Sequence, residues 1–112
     1  MLHSLQIIMP DNRGYIDPAR CEGTFTVAVM DIYKKAVSML TADNFLLYCE
    51  GEYVDDLEVA EHIVGVYSMC FPVEAKYVLG LKQGENQTRL PEVMLTVKKD
   101  GRYSNTLLIA LT

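Results

Sequence analysis

The chain has 112 residues, of which 50% are hydrophobic, 22% charged and 9% aromatic. This composition excludes a disordered chain, a coiled coil and collagen, and the length predicts a single domain over residues 1–112. The formal net charge of −5 argues against direct binding to nucleic acid or to an anionic membrane, because both need a basic surface. No apolar run reaches the ~18–20 residues of a membrane-spanning helix.

The three cysteines, Cys21, Cys49 and Cys70, are widely spaced and odd in number. A disulfide framework needs dense, paired cysteines in a secreted chain, and a zinc site needs four close ligands. The N-terminus has no basic segment followed by a long apolar one, as a secretion signal would. We therefore expect reduced thiols in a cytoplasmic protein, with no metal and no other cofactor.

The first 41 residues predict two strands, a long loop and a helix. Pro10 ends the first strand, and loops longer than ~12 residues are often functional. The next segment is ambiguous, because its residues alternate as in a strand while Phe25, Val29 and Ile32 also fit one stripe of a helix. Its β-branched and threonine-rich start favours a strand, after which Asp31 is a suitable helix N-cap. The predicted elements are a strand over 4–9, a loop over 10–23, a strand over 24–30 and a helix over 31–40.

The middle of the chain predicts a buried strand over 44–49 and a second helix over 55–70. Asp55 and Glu58 have the spacing of a capping box, and the apolar residues that follow form two helical stripes. Gly65 inside this helix would mark close packing against a neighbour.

The last third predicts a three-stranded antiparallel meander over 74–83, 93–98 and 102–111. A three-residue loop between the last two strands, pairing Val97 with Tyr103, separates polar from apolar faces better than a two-residue Asp-Gly turn. The whole pattern predicts an α+β fold, in which an antiparallel or mixed sheet of about four to six strands has two helices packed on one face.

Charge is concentrated in residues 43–61, which contain seven acidic residues and no Lys or Arg. A solvated surface with no further role is one interpretation. The other is an acidic patch for a basic partner, such as a nucleic-acid-binding protein whose groove the patch occupies. The candidate partner-binding residues are Glu50, Glu52, Asp55, Asp56, Glu58 and Glu61.

Two hypotheses about function remain open. The absence of catalytic motifs, the mean hydropathy of +0.10 and the apolar stripes favour a small, non-enzymatic interaction module that self-associates, as a homodimer for example. Its size and acidity are common among accessory proteins of bacteria and their phages. The alternative is a small hydrolase or transferase that uses Cys21 or His62 in a pocket under the 10–23 loop.

Overall fold

The structure, a computed structural model, describes residues 4–11, 13–82 and 90–112. These residues form ten strands, one 3-10 turn over Ala42–Asn44 and one α-helix. The strands are β1 (Leu5–Ile8), β2 (Tyr15–Asp17), β3 (Glu22–Asp31), β4 (Phe45–Cys49), β5 (Glu52–Tyr53), β6 (Glu58–Ile63), β7 (Val66–Pro72), β8 (Val93–Lys99), β9 (Arg102–Tyr103) and β10 (Leu107–Ile109), and the helix is α1 (Ala75–Lys82).

The strands form two sheets. The first has the order β1-β3-β7-β6, and β2 also pairs with β3. The second has the order β10-β8-β4-β5, and β9 also pairs with β8. Neighbouring strands within both sheets are antiparallel.

The core lies between the two sheets, so the fold is a β-sandwich. Alternate residues of β3 point inward, where Phe25, Val27 and Val29 are buried. The rings of Phe45 in the second sheet and Tyr67 in the first meet edge to face, with centroids 5.3 Å apart. The period-2 burial of the long strands therefore follows from one face of each sheet packing on the other.

The predicted α+β fold with two helices on one face of a sheet is wrong. Neither predicted helix exists, and the described residues contain one α-helix, at a place where a strand was expected. The strands predicted over 4–9, 24–30 and 44–49 are confirmed as β1, β3 and β4.

The segment predicted as a helix over 31–40 is a turn followed by extended chain. Asp31 does cap a turn, but its carboxylate accepts hydrogen bonds from the amides of Tyr33 and Lys35 at 2.8 and 3.0 Å and so tightens a reversal. Lys34 and Met39 have φ values of +63° and +65°, which a right-handed helix cannot contain.

The segment predicted as a helix over 55–70 is the β6–β7 hairpin. Gly65 has φ +79° and forms part of the turn between the two strands. A Cβ atom there would lie 2.7 Å from that of Ala36, so the expected close packing at Gly65 exists in a turn. Tyr67, Met69 and Phe71 are spaced by two and face the core. Burial in this segment therefore follows the alternation of a strand and not the helical stripes expected from the sequence.

The predicted C-terminal meander is wrong in two respects. The strand expected over 74–83 is replaced by α1 over its described part, since its Ala, Leu and Lys residues are also good helix formers. Asp100 and Gly101, with φ +52° and +76°, make the two-residue turn, so that Lys98 pairs with Tyr103. The apparent mixing of faces is resolved at Ser104, which is buried and accepts a hydrogen bond from the amide of Val97 at 2.8 Å.

One side of the sandwich is closed by hydrogen bonds between the two sheets. Asn105 bonds the backbone of Ile7 in β1. Near β2, the amide of Gly14 donates to Ala110 at 2.8 Å, and the amide of Thr112 donates to Gly14 at 3.1 Å. The open edge of the first sheet is therefore β6, which pairs only with β7 among the described residues.

Candidate functional site

Charged residues are separated between the two ends of the sandwich. The acidic end is where β3 and β8 begin and where β4 and β7 end. Counting only residues whose side chains the structure describes, it has nine acidic residues against Arg20 and Lys76, a formal balance of −7: Asp17, Glu22, Glu50, Glu52, Asp55, Asp56, Glu58, Glu74 and Glu92. On the same basis the opposite end has five basic residues against four acidic ones, a balance of +1: Lys34, Lys35, Lys98, Lys99 and Arg102 against Asp31, Asp43, Glu61 and Asp100.

Five of the six acidic residues named from the sequence meet at the acidic end. Glu50 and Gly51, both with positive φ, form the tight turn between β4 and β5, and Glu52 begins β5. Asp55 and Asp56 lie in the connection that crosses from one sheet to the other, and Glu58 begins β6. The crossing connection thus brings acids from both sheets to one end.

Glu61 lies apart from the other five, and its side chain is hydrogen-bonded to backbone amides. Its carboxylate accepts hydrogen bonds from the amide of Gly65 at 2.9 Å and from the amide of Met39 at 3.2 Å. These two bonds, the one from Gly65 first, lower the pKa of Glu61. The side chain therefore fastens the β6–β7 turn to the segment that follows β3.

The free edge of β6 adjoins the acidic end. Every residue of β6 except the half-buried Val59 is exposed. Glu58 to Glu61 pair with β7 in an unbroken register, and an irregularity then separates Glu61 from Ile63. The regular half of this edge, Glu58–Glu61, can hydrogen-bond another extended chain.

A cleft of about 400 Å³ lies at the acidic end, between the β4–β5 turn and the start of α1. Glu52 and Glu74 contribute acid groups to it, and Lys76 contributes an ammonium group 3.4 Å from the Glu74 carboxylate. Tyr53 and Val54 contribute apolar surface. Cys49 also lines this cleft, and burial, followed by the charge of Glu50, raises the pKa of its thiol. The cleft therefore combines negative charge with an apolar wall.

A groove of about 510 Å³, which the sequence did not predict, lies on the outer face of the first sheet. Its floor contains small side chains on neighbouring strands, including Thr26 and Ser68, which pair across β3 and β7. Tyr15 and Arg13 stand beside it, with the Arg13 Nε donating to the Tyr15 hydroxyl at 3.2 Å. The threonines of β3 alternate with its core residues, and this pattern could have indicated that they line the outer face.

The alternative catalytic candidates lie far apart along the strands. Cys21 precedes β3 and lines a cleft of about 250 Å³ together with Cys70 and Glu22. His62 is exposed near the other end of β6, next to the β6–β7 turn. The Cys70 thiol donates to the Glu22 carboxylate, and burial together with this bond raises its pKa to about 11. The structure therefore does not bring Cys21 and His62 together.

Three further properties concern the described residues as a whole. The cysteines are all free. No group of three or more His, Cys, Asp or Glu side chains in the described ranges is arranged to hold a metal ion. None of the helical segments there has the length and apolarity to cross a membrane.

Comparisons with known proteins give one structural likeness. No protein-family model and no curated protein sequence matches the chain. A solved structure titled "Tandem Ig repeats of Dlar" is similar over 99% of this chain, with 14% sequence identity and a TM-score of 0.48. The match covers 48% of that chain, so the present chain spans about half its length.

Proposed function

We propose that the chain is a non-enzymatic protein-interaction module that binds a basic, extended segment of a protein partner. The observation on which this rests is the free edge of β6, which begins beside Asp55, Asp56 and Glu58 at the acidic end. A segment added to this edge would form backbone hydrogen bonds with Glu58–Glu61 and become the sixth strand of the first sheet.

The charge of this edge favours a basic partner. Among the described residues, Asp55, Asp56 and Glu58 take part in no ion pair, because the two ion pairs present join Arg20 to Asp17 and Lys76 to Glu74. Lys or Arg side chains of an added strand would meet these carboxylates at the solvent-exposed rim. Because such contacts are screened, the binding would weaken as salt concentration rises.

Free thiols support a reducing compartment such as the cytoplasm. Cys21, Cys49 and Cys70 are each half-buried, and none is joined to another. Free cysteines of this kind are usual where the cell keeps thiols reduced.

Defined peptides test the proposal. The probe is an eight-residue peptide of alternating Lys and Val, with alternating Glu and Val as the opposite-charge control. Protection of the β6 amides from hydrogen exchange reports where the peptide adds. We expect the basic peptide to protect β6, and the double variant D56N/E58Q to weaken binding by about three- to tenfold.

A matched control variant removes the same charge elsewhere. D43N/D100N neutralises two exposed acids at the opposite end and should bind the basic peptide as the parent does. The proposal fails if the basic peptide does not bind, if it protects strands other than β6, or if D56N/E58Q and D43N/D100N bind equally well.

A further inference from the structure

The end of the molecule opposite the acidic end exposes several large apolar side chains to solvent. We call it the tip, comprising residues 31–39 and 61–65. Its five large apolar side chains are 64 to 86% exposed, which is far above the exposure of core residues: Ile32, Tyr33, Met39, Ile63 and Val64. Apolar side chains grouped in this way mark an interaction surface.

Hydrogen bonds hold the two parts of the tip together. The amide of Met39 and the hydroxyl of Ser38 donate to the Glu61 carboxylate at 3.2 and 3.3 Å. Gly65 also lies against Ala36, where there is no room for a Cβ atom. The exposed side chains therefore project from two turns that are fixed to each other.

The turn over 31–35 presents two cations beside the apolar side chains. Lys34 and Lys35 are exposed and are in no ion pair with described residues. The tip also holds the carboxylates of Asp31 and Glu61, which accept backbone hydrogen bonds within it, so its formal charge is balanced. A partner that covers Tyr33 would therefore meet the ammonium groups of the same turn.

The acidic end carries the complementary surface. Its cleft is open to solvent, and Tyr53, which lines it, is half exposed and stacks edge to face on Tyr48 at 5.7 Å between centroids. Glu52 borders the same cleft, as does Glu74 with its ion-pair partner Lys76. An apolar side chain such as Tyr33 would pack on the Tyr53 ring while Lys35 met the Glu52 carboxylate.

We propose that the tip of one copy docks in the acidic cleft of a second copy. Tip and cleft are at opposite ends of the strands, so one chain cannot satisfy both by itself. The contact is head to tail, and each added copy leaves a new tip and a new cleft exposed. This inference does not rest on the β6 edge, because the contact is made by side chains of the 31–35 turn and of the cleft, and the tip shares only Glu61 with that edge.

Two complementary variants test the contact by sedimentation velocity. The tip variant is Y33S/K35S, and the cleft variant is E52Q/Y53S. We expect the sedimentation coefficient of the parent to rise with concentration between about 10 μM and about 1 mM, and each variant alone to stay monomeric. Mixed in equal amounts, the variants retain one intact tip and one intact cleft, so they should form a one-to-one dimer that sediments about 1.5-fold faster and grows no further.

The control is L108S, which removes an exposed apolar side chain from β10, outside both surfaces. It should associate as the parent does. A parent that stays monomeric overturns the proposal, and so does a mixture without a dimer, which would indicate a symmetric tip-to-tip or cleft-to-cleft contact instead. The peptide experiment on β6 uses different residues, so either result can fail alone.

Discussion

Asn105 takes the place of a strand neighbour for Ile7. The Ile7 amide donates to the Asn105 Oδ1 at 2.9 Å, and the Asn105 Nδ2 donates back to the Ile7 carbonyl at 3.2 Å. Replacing Asn105 with Ala leaves both backbone groups of a buried residue without these partners. We expect N105A to lose about 1–3 kcal/mol of unfolding free energy, measured by urea denaturation.

The variant N105D separates the two bonds, because Asp keeps an acceptor for the Ile7 amide but places a carboxylate oxygen where Nδ2 donates to the Ile7 carbonyl. These two acceptors repel, so at neutral pH N105D should be less stable than the parent. If N105A unfolds at the same urea concentration as L108S, the contact does not close the β1 edge.

Gly65 and Gly51 form a matched pair for measuring steric crowding. Both have positive φ, +79° and +81°, so alanine at either position pays about 1–2 kcal/mol for the left-handed conformation. A Cβ at Gly65 would also meet Ala36, whereas at Gly51 it meets nothing within 4 Å. We therefore expect G65A to be destabilised more than G51A in thermal unfolding, and equal losses would contradict the packing at the tip.

Glu61 should make stability depend on acid pH. Its pKa is lowered in the folded chain by the amides of Gly65 and Met39, so the unfolded chain takes up this proton first as pH falls. The stabilisation is fully present above the unfolded pKa of about 4.3 and is lost as pH falls through the lower, folded pKa. The difference in unfolding free energy between the parent and E61Q should therefore narrow on acidification.

Urea denaturation at several values between about pH 6 and pH 3 measures this difference. Because only one carboxyl group is exchanged, the rest of the acid response is common to both proteins. A difference that stays constant over this range would show that the Glu61 charge does not hold the tip.

Cys70 should react slowly with iodoacetamide. With a pKa of about 11, only about one thiol in a thousand is ionised at pH 8. Its higher intrinsic nucleophilicity offsets part of this, so we expect alkylation at least about tenfold slower than that of an unhindered thiol. E22Q removes the carboxylate that accepts the thiol proton, and should speed the reaction as followed by mass spectrometry of the Cys70 peptide.

The strands that could be predicted are those whose apolar residues do not also fit a helical spacing. β4 is a short apolar run, and β1 is ended by Pro10, so local sequence suffices for both. The β6–β7 hairpin could not be predicted in this way, because Val59, Ile63, Val66 and Cys70 also fit a helical spacing. The choice depends on Gly65 adopting positive φ beside Ala36, which is a tertiary contact.

The acidic end could be predicted in part. Seven acids within residues 43–61 indicated a charged surface, and Glu50, Glu52, Asp55, Asp56 and Glu58 do share one end. Glu61 could not be separated from them by sequence, since its role depends on the amide of Met39, 22 residues away. The cleft was also hidden, because it joins the β4–β5 turn to α1.

The closure between β2 and residues 110–112 has a mechanical consequence. Gly14 and Leu111 are paired in parallel, and three backbone hydrogen bonds of 2.8 to 3.1 Å connect the two segments. A force that pulls the first strands and the last residues in opposite directions runs along these segments, so it loads the three bonds together instead of opening them one at a time. Under tension, these two segments would resist sliding past each other, and unfolding would begin only when all three hydrogen bonds break.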